Sequence, residues 1–427
     1  MYYKKMNVGI IGTGFTGLSA ALELQKKGHK VTLLEKESFP GGLATGFKKA
    51  GWNWPLEKHY HHIFTGDTDI QKLADEVNVK FSFSLPNTSW FIDKEIFQID
   101  SPLKLLRFPK LTLSERSRMG AVIGYLKSIS NWKPLEKVSA EEWLSRMMGR
   151  HTYNLFWKPL LISKFGQNSK KISMAWFWAR IKSRSARLGY PEGGFQNLAN
   201  KTAEKIIDRG GLIHYNTNVI KVVNIPKNKV LVHTSSREHS FDSLIITLPN
   251  APFTKMSPQL PEDYKRKLLD VKGVGAITMI IELKKAFFPS GVYWLSVCEK
   301  KYPFIAVVEH TNFVDKSHYN NHHLIYIGNY LSSSHRYFSL SDDDLLNEYE
   351  PYLNMLNPHF KDNLIDKMVF KVPFAQPVVT LNFSGKILPF VTPLKNVYLA
   401  NLQQVYPWDR QTNYAVTLGR RVADIYF

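Results

Sequence analysis

The opening forty residues constrain the fold more than any other part of the chain. Residues 8–11 form a short apolar run, long enough for one buried parallel strand, and lead directly into the motif Gly12-x-Gly14-x-x-Gly17. A stretch with helical periodicity follows at residues 18–27, and a second apolar strand at 31–34 ends on Glu35. This order of strand, glycine turn, helix, strand and acid predicts a dinucleotide-binding β-α-β unit.

Each glycine of the motif has its own physical task. Gly12 allows the sharp turn from strand to helix, Gly14 lets the backbone approach a pyrophosphate, and Gly17 lets the helix pack closely on the strand. The pyrophosphate then lies on the unpaired N–H groups and the positive end of the helix. Glu35, about twenty residues beyond the glycines, is placed to accept hydrogen bonds from the ribose hydroxyls.

A second glycine pair follows in Gly41-Gly42-Leu43-Ala44. With this pair the chain resembles the flavin-binding family of monoamine oxidase, protoporphyrinogen oxidase and the carotenoid desaturases. The resemblance implies FAD, with backbone lying against its pyrophosphate and ribityl chain. The family often has Arg after the pair, where this chain has Leu43. Cys298, the one cysteine, is far in sequence from the C-terminal flavin contacts, so we expect non-covalent FAD.

The resemblance implies further cofactor contacts toward the C-terminus. Val219 matches a position whose backbone meets the adenine edge, and Asn401 stands where the family usually has an Asp near the ribityl chain. A final helix predicted to begin at Tyr414 would offer the N–H groups of Tyr414 and Ala415 to the flavin ring. The predicted cofactor-binding residues are Gly12, Gly14, Phe15, Thr16, Gly17, Glu35, Lys36, Gly41, Gly42, Leu43, Ala44, Val219, Asn401, Tyr414 and Ala415.

Three histidines occur among four residues in His59-Tyr60-His61-His62. With Ile63 and Phe64, this segment also resembles a stretch of UDP-galactopyranose mutase that passes close to the isoalloxazine ring. A neutral imidazole can exchange a proton near pH 7 or hydrogen-bond a flavin edge or a sugar hydroxyl. His61 and His62 are therefore the candidate catalytic residues. Structural histidines and a metal site are the alternatives, but no Cys or carboxylate at ligand spacing accompanies them, and no metal is expected.

The whole chain predicts an α/β protein with a discontinuous, Rossmann-like FAD-binding domain and a substrate domain made of an antiparallel sheet and a helical insert. The FAD-binding segments are expected at 1–100, 188–268 and 389–427. The helical insert is expected at 101–187, where Ser114 and Ser139 are predicted to open helices. The antiparallel sheet is expected at 269–388.

The helical insert is rich in tryptophan and basic residues. Such a layer suits the roof of a pocket for a sizeable apolar or sugar-like molecule with an anionic group, although plain helical core is the alternative for any single Trp. Tyr60, Lys164 and Arg180 are the predicted substrate contacts.

Lys and Arg outnumber Asp and Glu by 56 to 36, a formal net charge of +20. This excess favours anionic partners, although a lysine-rich solvated surface explains it equally well. The sequence has no zinc-ligand set or RNA-binding motif, so no nucleic-acid partner is expected. The early first strand argues against a cleaved signal peptide, and no apolar run is long enough to span a membrane. We expect a cytoplasmic protein binding a small anionic or lipid-linked molecule, with peripheral contact to the inner membrane face as an option.

Three function classes follow from these patterns. The leading hypothesis is an FAD-dependent oxidoreductase that takes a hydride from a C–H bond of an amine, polyprenyl or sugar-lipid substrate. The second is a reduced-flavin sugar isomerase resembling UDP-galactopyranose mutase. The third is a flavin-bound scaffold without enzymatic activity, or a membrane-surface protein held by its basic face. The sequence leaves the electron acceptor and the oligomeric state open.

Overall fold

The computed structural model describes residues 5–427, so residues 1–4 of the first predicted segment lie outside the described residues. The strands within this range are β1 (Asn7–Ile11), β2 (Lys30–Leu34), β3 (Gly46–Phe47), β4 (Leu56–Glu57), β5 (Ile63–Phe64), β6 (Phe81–Ser84), β7 (Asn87–Ile92), β8 (Glu95–Gln98), β9 (Leu188–Pro191), β10 (Leu212–His214), β11 (Val219–Ile225), β12 (Lys229–Thr234), β13 (Glu238–Phe241), β14 (Ser243–Ile246), β15 (Gly273–Leu283), β16 (Val292–Val297), β17 (Ala306–Glu309), β18 (His323–Leu331), β19 (Leu364–Pro377) and β20 (Val397–Leu399). The α-helices are α1 (Phe15–Lys26), α2 (Thr68–Glu76), α3 (Pro102–Leu106), α4 (Leu113–Ser128), α5 (Ala140–Met148), α6 (Arg150–Thr152), α7 (Lys158–Phe165), α8 (Met174–Ser183), α9 (Gly194–Asp208), α10 (Asn250–Met256), α11 (Glu262–Asp270), α12 (Asp342–Leu356) and α13 (Thr412–Tyr426).

A five-stranded parallel sheet in the order β10-β2-β1-β14-β20 forms the first layer. β1 is its central strand, paired in parallel with β2 (Val8 opposite Val31) and with β14 (Val8 opposite Ser243). Four of the five residues of β1 are buried, as expected for a parallel strand covered on both faces. The carboxyl ends of these strands meet at one edge, where α1 begins.

The first and last helices pack against each other. A Cβ atom added at Gly419 of α13 would lie 2.2 Å from both Ser19 Oγ and Thr16 O of α1. Ser19 Oγ also donates a 3.2 Å hydrogen bond to Val416 O. The two ends of the chain therefore meet beside the glycine turn, because a glycine allows the backbones to approach closely.

A seven-stranded sheet in the order β19-β15-β18-β17-β16-β7-β8 forms the second layer. All its neighbouring pairs are antiparallel except β16 with β7, which run parallel. Helices α3 to α8 form a layer whose core is aromatic and includes Phe156, Trp157, Trp176 and Trp178. The predicted α/β class, with a parallel sheet, an antiparallel sheet and a helical insert, is confirmed; the predicted domain boundaries stay a prediction.

Of two predicted helix starts in this layer, one differs from the observed start and the other is confirmed. Thr112, not Ser114, caps α4, through a reciprocal capping box with Glu115. Ser139 caps α5 by accepting from the Glu142 N–H. Within residues 5–427, no helix is both long and apolar enough to cross a bilayer.

Candidate active site

A cavity of ≈ 2280 Å³ extends from the β1–α1 turn to the helical layer. Sites for one drug-sized ligand measure about 300–1,000 Å³, so this cavity has room for a cofactor and a substrate together. Most of the predicted site residues line it: Gly12, Gly14, Phe15, Thr16, Glu35, Lys36, Gly41, Gly42, Leu43, Ala44, Tyr60, His61, His62, Lys164, Arg180, Val219 and Ala415. Of the predicted residues, all of which are described, Gly17, Asn401 and Tyr414 do not line it.

The three motif glycines differ in what surrounds them. Gly12 has a φ of +100°, and a Cβ there would lie 2.5 Å from Thr247 Oγ1. A Cβ at Gly17 would lie 2.0 Å from Gly12 O, so this glycine is required by helix–strand packing. A Cβ at Gly14 would meet only Gly42 Cα, at 3.7 Å, and would otherwise point into free space. At Gly14, therefore, the absence of a side chain leaves room for a ligand and is not required by the packing of the fold.

The second glycine pair closes on the first. The Gly41 N–H donates to Thr13 O at 2.9 Å, and Gly14 and Gly41 form an isolated parallel bridge. A Cβ at Gly42, where φ is +60°, would lie 3.0 Å from Gly14 Cα. No side chain caps the start of α1, and its first turn leaves N–H groups free. This bare cradle of backbone N–H groups fits the pyrophosphate of a dinucleotide.

Glu35 lies at the next position along the cavity. Its Oε2 accepts hydrogen bonds from the N–H (2.8 Å) and Oγ1 (2.7 Å) of Thr13, and its Oε1 accepts from the Glu37 N–H (3.0 Å). A carboxylate has about four lone-pair sites, so capacity remains for ribose hydroxyls. Val219 begins β11 and lines the cavity beside Thr217, whose N–H donates to Glu35 O at 2.7 Å.

His61 and His62 both line the cavity, with fixed rings. His61 Nδ1 lies 2.6 Å from His59 O, and a carbonyl only accepts, so this neutral ring carries its proton on Nδ1 and leaves Nε2 as an acceptor. His62 Nδ1 lies 3.1 Å from Tyr293 OH. Burial lowers the pKa of His61 to about 4 and that of His62 to about 3, the latter helped by the charge of Arg184. Both rings are therefore neutral hydrogen-bonding groups at pH 7.

These low pKa values bear on the predicted roles. Proton exchange near pH 7 requires a more basic imidazole, so the lowered pKa values favour hydrogen bonding by His61 and His62, and a proton-transfer role stays a prediction. His59 does not line the main cavity; its Nδ1 lies 2.7 Å from Thr278 Oγ1. Across residues 5–427, no three His, Cys, Asp or Glu side chains are grouped so that they could hold a metal ion.

Lys164 and Arg180 meet at Asp409. Arg180 donates a hydrogen bond to Asp409 Oδ2, and Lys164 Nζ lies 3.9 Å from the same oxygen. Both cations lie over the ring of Trp176, at 4.9 Å and 5.0 Å from its centre. Burial holds the pKa of Lys164 well below its usual value, and the neighbouring Lys164 and Arg180 lower the pKa of Asp409 against the opposing effect of burial.

The last helix begins earlier than predicted. α13 starts at Thr412, and the Ala415 N–H donates to Gln411 O at 3.1 Å. The unpaired N–H groups of the first turn therefore belong to Thr412, Asn413 and Tyr414, and assigning that of Ala415 to a ligand needs correction. The Tyr414 ring stacks on Trp408 at 5.4 Å rather than lining the cavity.

Asn401 is buried, and its amide group is hydrogen-bonded within the protein. Its Nδ2 donates to Leu248 O (2.9 Å) and to Asn250 Oδ1 (2.8 Å), and its Oδ1 accepts from the Gln403 N–H (2.9 Å). The side chain thus caps the short turn Leu402–Gln404, while Leu402 and Gln403 line the cavity. A cofactor contact by Asn401 itself stays a prediction.

Sequence reasoning missed four charged residues around the site. Arg184, Asp409 and Arg410 line the cavity. Glu57 lies behind it, fully buried, and accepts from Tyr190 OH and the Phe195 N–H, both at 2.6 Å. Burial raises the pKa of Glu57 to about 7. The adjacent charges of Asp409 and Arg410 just before the last helix were the available signal; nothing local distinguishes Arg184.

Two solved structures share this architecture. An oxidoreductase from Methanosarcina mazei superposes with a TM-score of 0.76 over 98% of this chain and 100% of its own, at 17% identity. Reduced UDP-galactopyranose mutase gives a TM-score of 0.76 over 98% of this chain and 95% of its own, at 16% identity. At such identities the likeness shows the fold alone.

Two sequence relatives are an oxidase and a desaturase by name. The coproporphyrinogen III oxidase of Staphylococcus aureus is 22% identical over 320 residues, covering 65% of this chain and 68% of the relative. A 4,4'-diapophytoene desaturase of Staphylococcus haemolyticus is 43% identical over 164 residues, covering 37% of this chain but 31% of the relative. The chain thus spans about a third of the desaturase.

The family model for flavin containing amine oxidoreductases matches residues 15–424. This match confirms the resemblance inferred from the two glycine motifs, and it implies a flavin cofactor and an oxidoreductase activity. The chain belongs to the flavin-containing amine oxidoreductase family.

Proposed function

We propose that the chain binds FAD non-covalently and takes a hydride from a C–H bond of an amine, polyprenyl or sugar-lipid substrate. The observation that carries this proposal is that one cavity joins the glycine cradle, both histidines and the aromatic helical layer. When bound, oxidised FAD supplies the hydride acceptor. The protein's share is binding, orientation and exclusion of water.

Each end of the cavity has groups suited to a part of this task. The backbone N–H groups around Gly14 would hold the phosphates, and Glu35 would accept from the ribose hydroxyls. The unpaired N–H groups at the start of α13 would stabilise negative charge that grows on the ring. His61 Nε2 would accept a hydrogen bond from the ring edge or from substrate.

The surroundings of Cys298 support non-covalent binding. This thiol does not line the cavity, and its Sγ lies 3.5 Å from Phe156 O. Burial raises its pKa far above the usual range, so the reactive thiolate is suppressed. We expect acid precipitation of the purified protein to leave free FAD in the supernatant; a yellow pellet would contradict non-covalent binding.

Anaerobic addition of substrate tests the redox proposal. Candidate amines, isoprenoids and sugar-lipids are added to the FAD-loaded protein, and the flavin absorbance is recorded. Bleaching by one class identifies the reducing substrate. A colourless protein that takes up no FAD, or a complete screen without bleaching, would contradict the proposal and favour a scaffold.

A non-redox sugar isomerase is the second candidate, favoured by the basic side chains Arg180 and Arg184 in the cavity and by the shared fold of UDP-galactopyranose mutase. The two candidates differ in whether electrons leave the protein. Turnover of a nucleotide sugar only after dithionite reduction, with no net oxidation, would favour the isomerase. Product formed with oxidised flavin and accompanied by bleaching would exclude it.

We also propose that the cavity mouth contacts a membrane that supplies a lipid-linked substrate. Leu85, Leu103 and Leu106 are exposed by 70%, 58% and 45%, and Leu85 and Leu106 line the cavity. Lys104, between two of these leucines, also lines it. Apolar residues beside basic ones suit an anionic lipid surface. Sedimentation with anionic but not neutral liposomes, weakened in a Leu103→Ser/Leu106→Ser variant, is expected; equal recovery with both liposomes would contradict it.

A further inference from the structure

Four basic side chains surround one carboxylate at the helical end of the cavity. We call Lys164, Arg180, Arg184, Asp409 and Arg410 the cationic cluster; all five line the cavity. Lys164 belongs to the last turn of α7 and Arg184 directly follows α8, while Asp409 and Arg410 precede α13. The cluster therefore joins the helical layer to the segment that leads into the last helix.

Most of these cations have a partner. Asp409 pairs with Arg180 and lies 3.9 Å from Lys164. Arg410 Nη2 donates to Tyr330 OH at 2.7 Å. The guanidinium of Arg184 has no hydrogen-bond acceptor and no carboxylate within ion-pair distance anywhere in residues 5–427. Arg184 is thus the unpaired cation of the cluster.

The electrostatic surroundings of Arg184 are unfavourable in the protein alone. Arg184 is an exposed residue that lines the cavity; desolvation and the charge of Arg180 lower its pKa to about 10, while the charge of Asp409 acts in the opposite direction. At pH 7 the guanidinium remains charged. Because no acceptor is bonded to it, the guanidinium of Arg184 keeps its N–H donors free, and an anion in the cavity would accept charge-assisted hydrogen bonds from them.

The cofactor phosphates have their own binding place. The glycine cradle at the start of α1 provides free backbone N–H groups for them, whereas the cationic cluster is built on α7, α8 and the segment before α13. The same cavity is also lined by apolar side chains of the helical layer, including Phe156, Trp157, Leu161, Phe177 and Ile181. A molecule bound there meets cations at one end and apolar side chains along its length.

We infer that Arg184, together with Arg180, forms a subsite for the phosphate or carboxylate head of an apolar substrate. This inference rests on the proposed function in taking the cavity as the substrate site, and it narrows the substrate class to anionic amphiphiles. A protonated amine at the same place would be repelled by Arg184 and compete with Arg180 for Asp409. Arg184 is accordingly a specificity-determining residue that selects against amines.

Calorimetric titration of the FAD-loaded full-length protein tests this subsite without requiring turnover. The probes are decyl phosphate, decanoate and decylamine, each below its micelle concentration, and inorganic pyrophosphate as a head without a tail. We expect decyl phosphate to bind at least about tenfold more tightly than decylamine. In Arg184→Gln this affinity falls at least about tenfold, whereas Lys182→Gln, a neighbouring cation outside the cavity wall, changes it less than about twofold.

Stability measurements distinguish a loss of ligand binding in the variant from a loss of its folding. Because Arg184 has no partner, Arg184→Gln is expected to unfold at the same temperature as the unmodified protein or a higher one, and decyl phosphate is expected to raise the midpoint only where Arg184 is present. Equal binding of decylamine and decyl phosphate, unchanged binding in Arg184→Gln, or loss of FAD instead of decyl phosphate in that variant would each overturn the inference. Normal FAD content with no bleaching by any substrate would contradict the redox proposal alone.

Discussion

The two ends of the cavity are built from different parts of the chain. At the nucleotide end, the contacts come from backbone N–H groups and from glycines that lack a side chain, all within about forty residues of each other. At the helical end, the cationic cluster consists of side chains that are far apart in sequence; Arg180 and Asp409 are separated by 229 positions. The first end is encoded locally, and the second exists only after the layers have packed.

This difference predicts which substitutions change the stability of the fold and which change the binding of a ligand. Gly17 and Asp409 hold protein parts together, whereas Gly14 and Arg184 line the cavity, and the side chain of Arg184 makes no hydrogen bond or ion pair within residues 5–427. Substitutions at the first two should therefore change the stability of the protein without ligand. Substitutions at the other two should change mainly what the cavity binds.

The largest expected effect is that of Gly17→Ala. Its Cβ would lie 2.0 Å from the carbonyl oxygen of Gly12, so α1 must move away from β1. We expect a loss of more than about 3 kcal/mol in the free energy of unfolding, and no bound flavin. Thermal unfolding is compared with Gly124→Ala in α4, where a Cβ would meet nothing within 4 Å and should stabilise the helix by about 0.5–1 kcal/mol. A Gly17→Ala protein with normal stability would refute this packing role.

Asp409→Asn should have the next largest effect. Removing the carboxylate leaves Arg180 and Lys164 facing each other without a counterion, and breaking such a pair costs about 3 kcal/mol. The thermal midpoint should fall clearly, while the exposed Asp362→Asn, which removes only a 3.5 Å pair with His359, should change stability by less than about 0.5 kcal/mol. If both variants behave alike, the cluster does not stabilise the protein.

Gly14→Ala should weaken the cofactor and spare the fold. In the protein alone the new methyl group makes only ordinary contact with Gly42 Cα, but it would occupy the surface that a pyrophosphate approaches. We expect flavin to bind at least about tenfold more weakly, a loss of about 1.4 kcal/mol. The flavin-free protein should keep its unfolding free energy within about 1 kcal/mol. Unaltered flavin titration would remove Gly14 from the proposed cofactor site.

The same contrast explains what could be predicted from the sequence. The parallel sheet and the glycine turn were predictable because strand length, turn geometry and helix packing depend on neighbouring residues. The helix α12, from Asp342 to Leu356, ends at Asn357-Pro358, a stop signal that depends only on neighbouring residues. Arg184 carried no signal, because its importance depends on Arg180 and Asp409 arriving beside it.

One error and one untested prediction near the C-terminus have local explanations. The start of α13 was placed two residues too late because Gln411, its first flanking residue, makes no side-chain cap that a sequence pattern would indicate. Asn401 was assigned to the cofactor from a resemblance, yet its amide is used by Leu248, Asn250 and Gln403. A resemblance identifies a position but does not determine which of its groups are left free for a ligand.

The smallest expected effect comes from a substitution beside the histidine segment. It tests whether this segment, like Gly14 and Arg184, acts on the ligand and not on the stability of the fold. Tyr293→Phe removes the hydroxyl 3.1 Å from His62 Nδ1 and leaves the ring in place. Losing one such bond costs about 1 kcal/mol, so kcat with the substrate found in the anaerobic screen should fall about fivefold. Tyr319→Phe is the matched control, because Tyr319 OH makes an equal 3.1 Å bond to His310 Nε2, and neither residue lines the cavity.

The pH dependence of this pair completes the test. The pKa values of about 4 for His61 and about 3 for His62 lie below the usual 6.5, so the neutral forms favour the folded state. Their contribution to stability is full above about pH 6.5 and is lost as the pH falls toward 4. Between pH 7 and 8 neither ring titrates, and kcat should show no inflection from them in the unmodified protein or in Tyr293→Phe. An inflection near pH 7 that disappears in His62→Gln would instead show that His62 transfers a proton. The role of His62 as a hydrogen-bonding group alone would then be rejected.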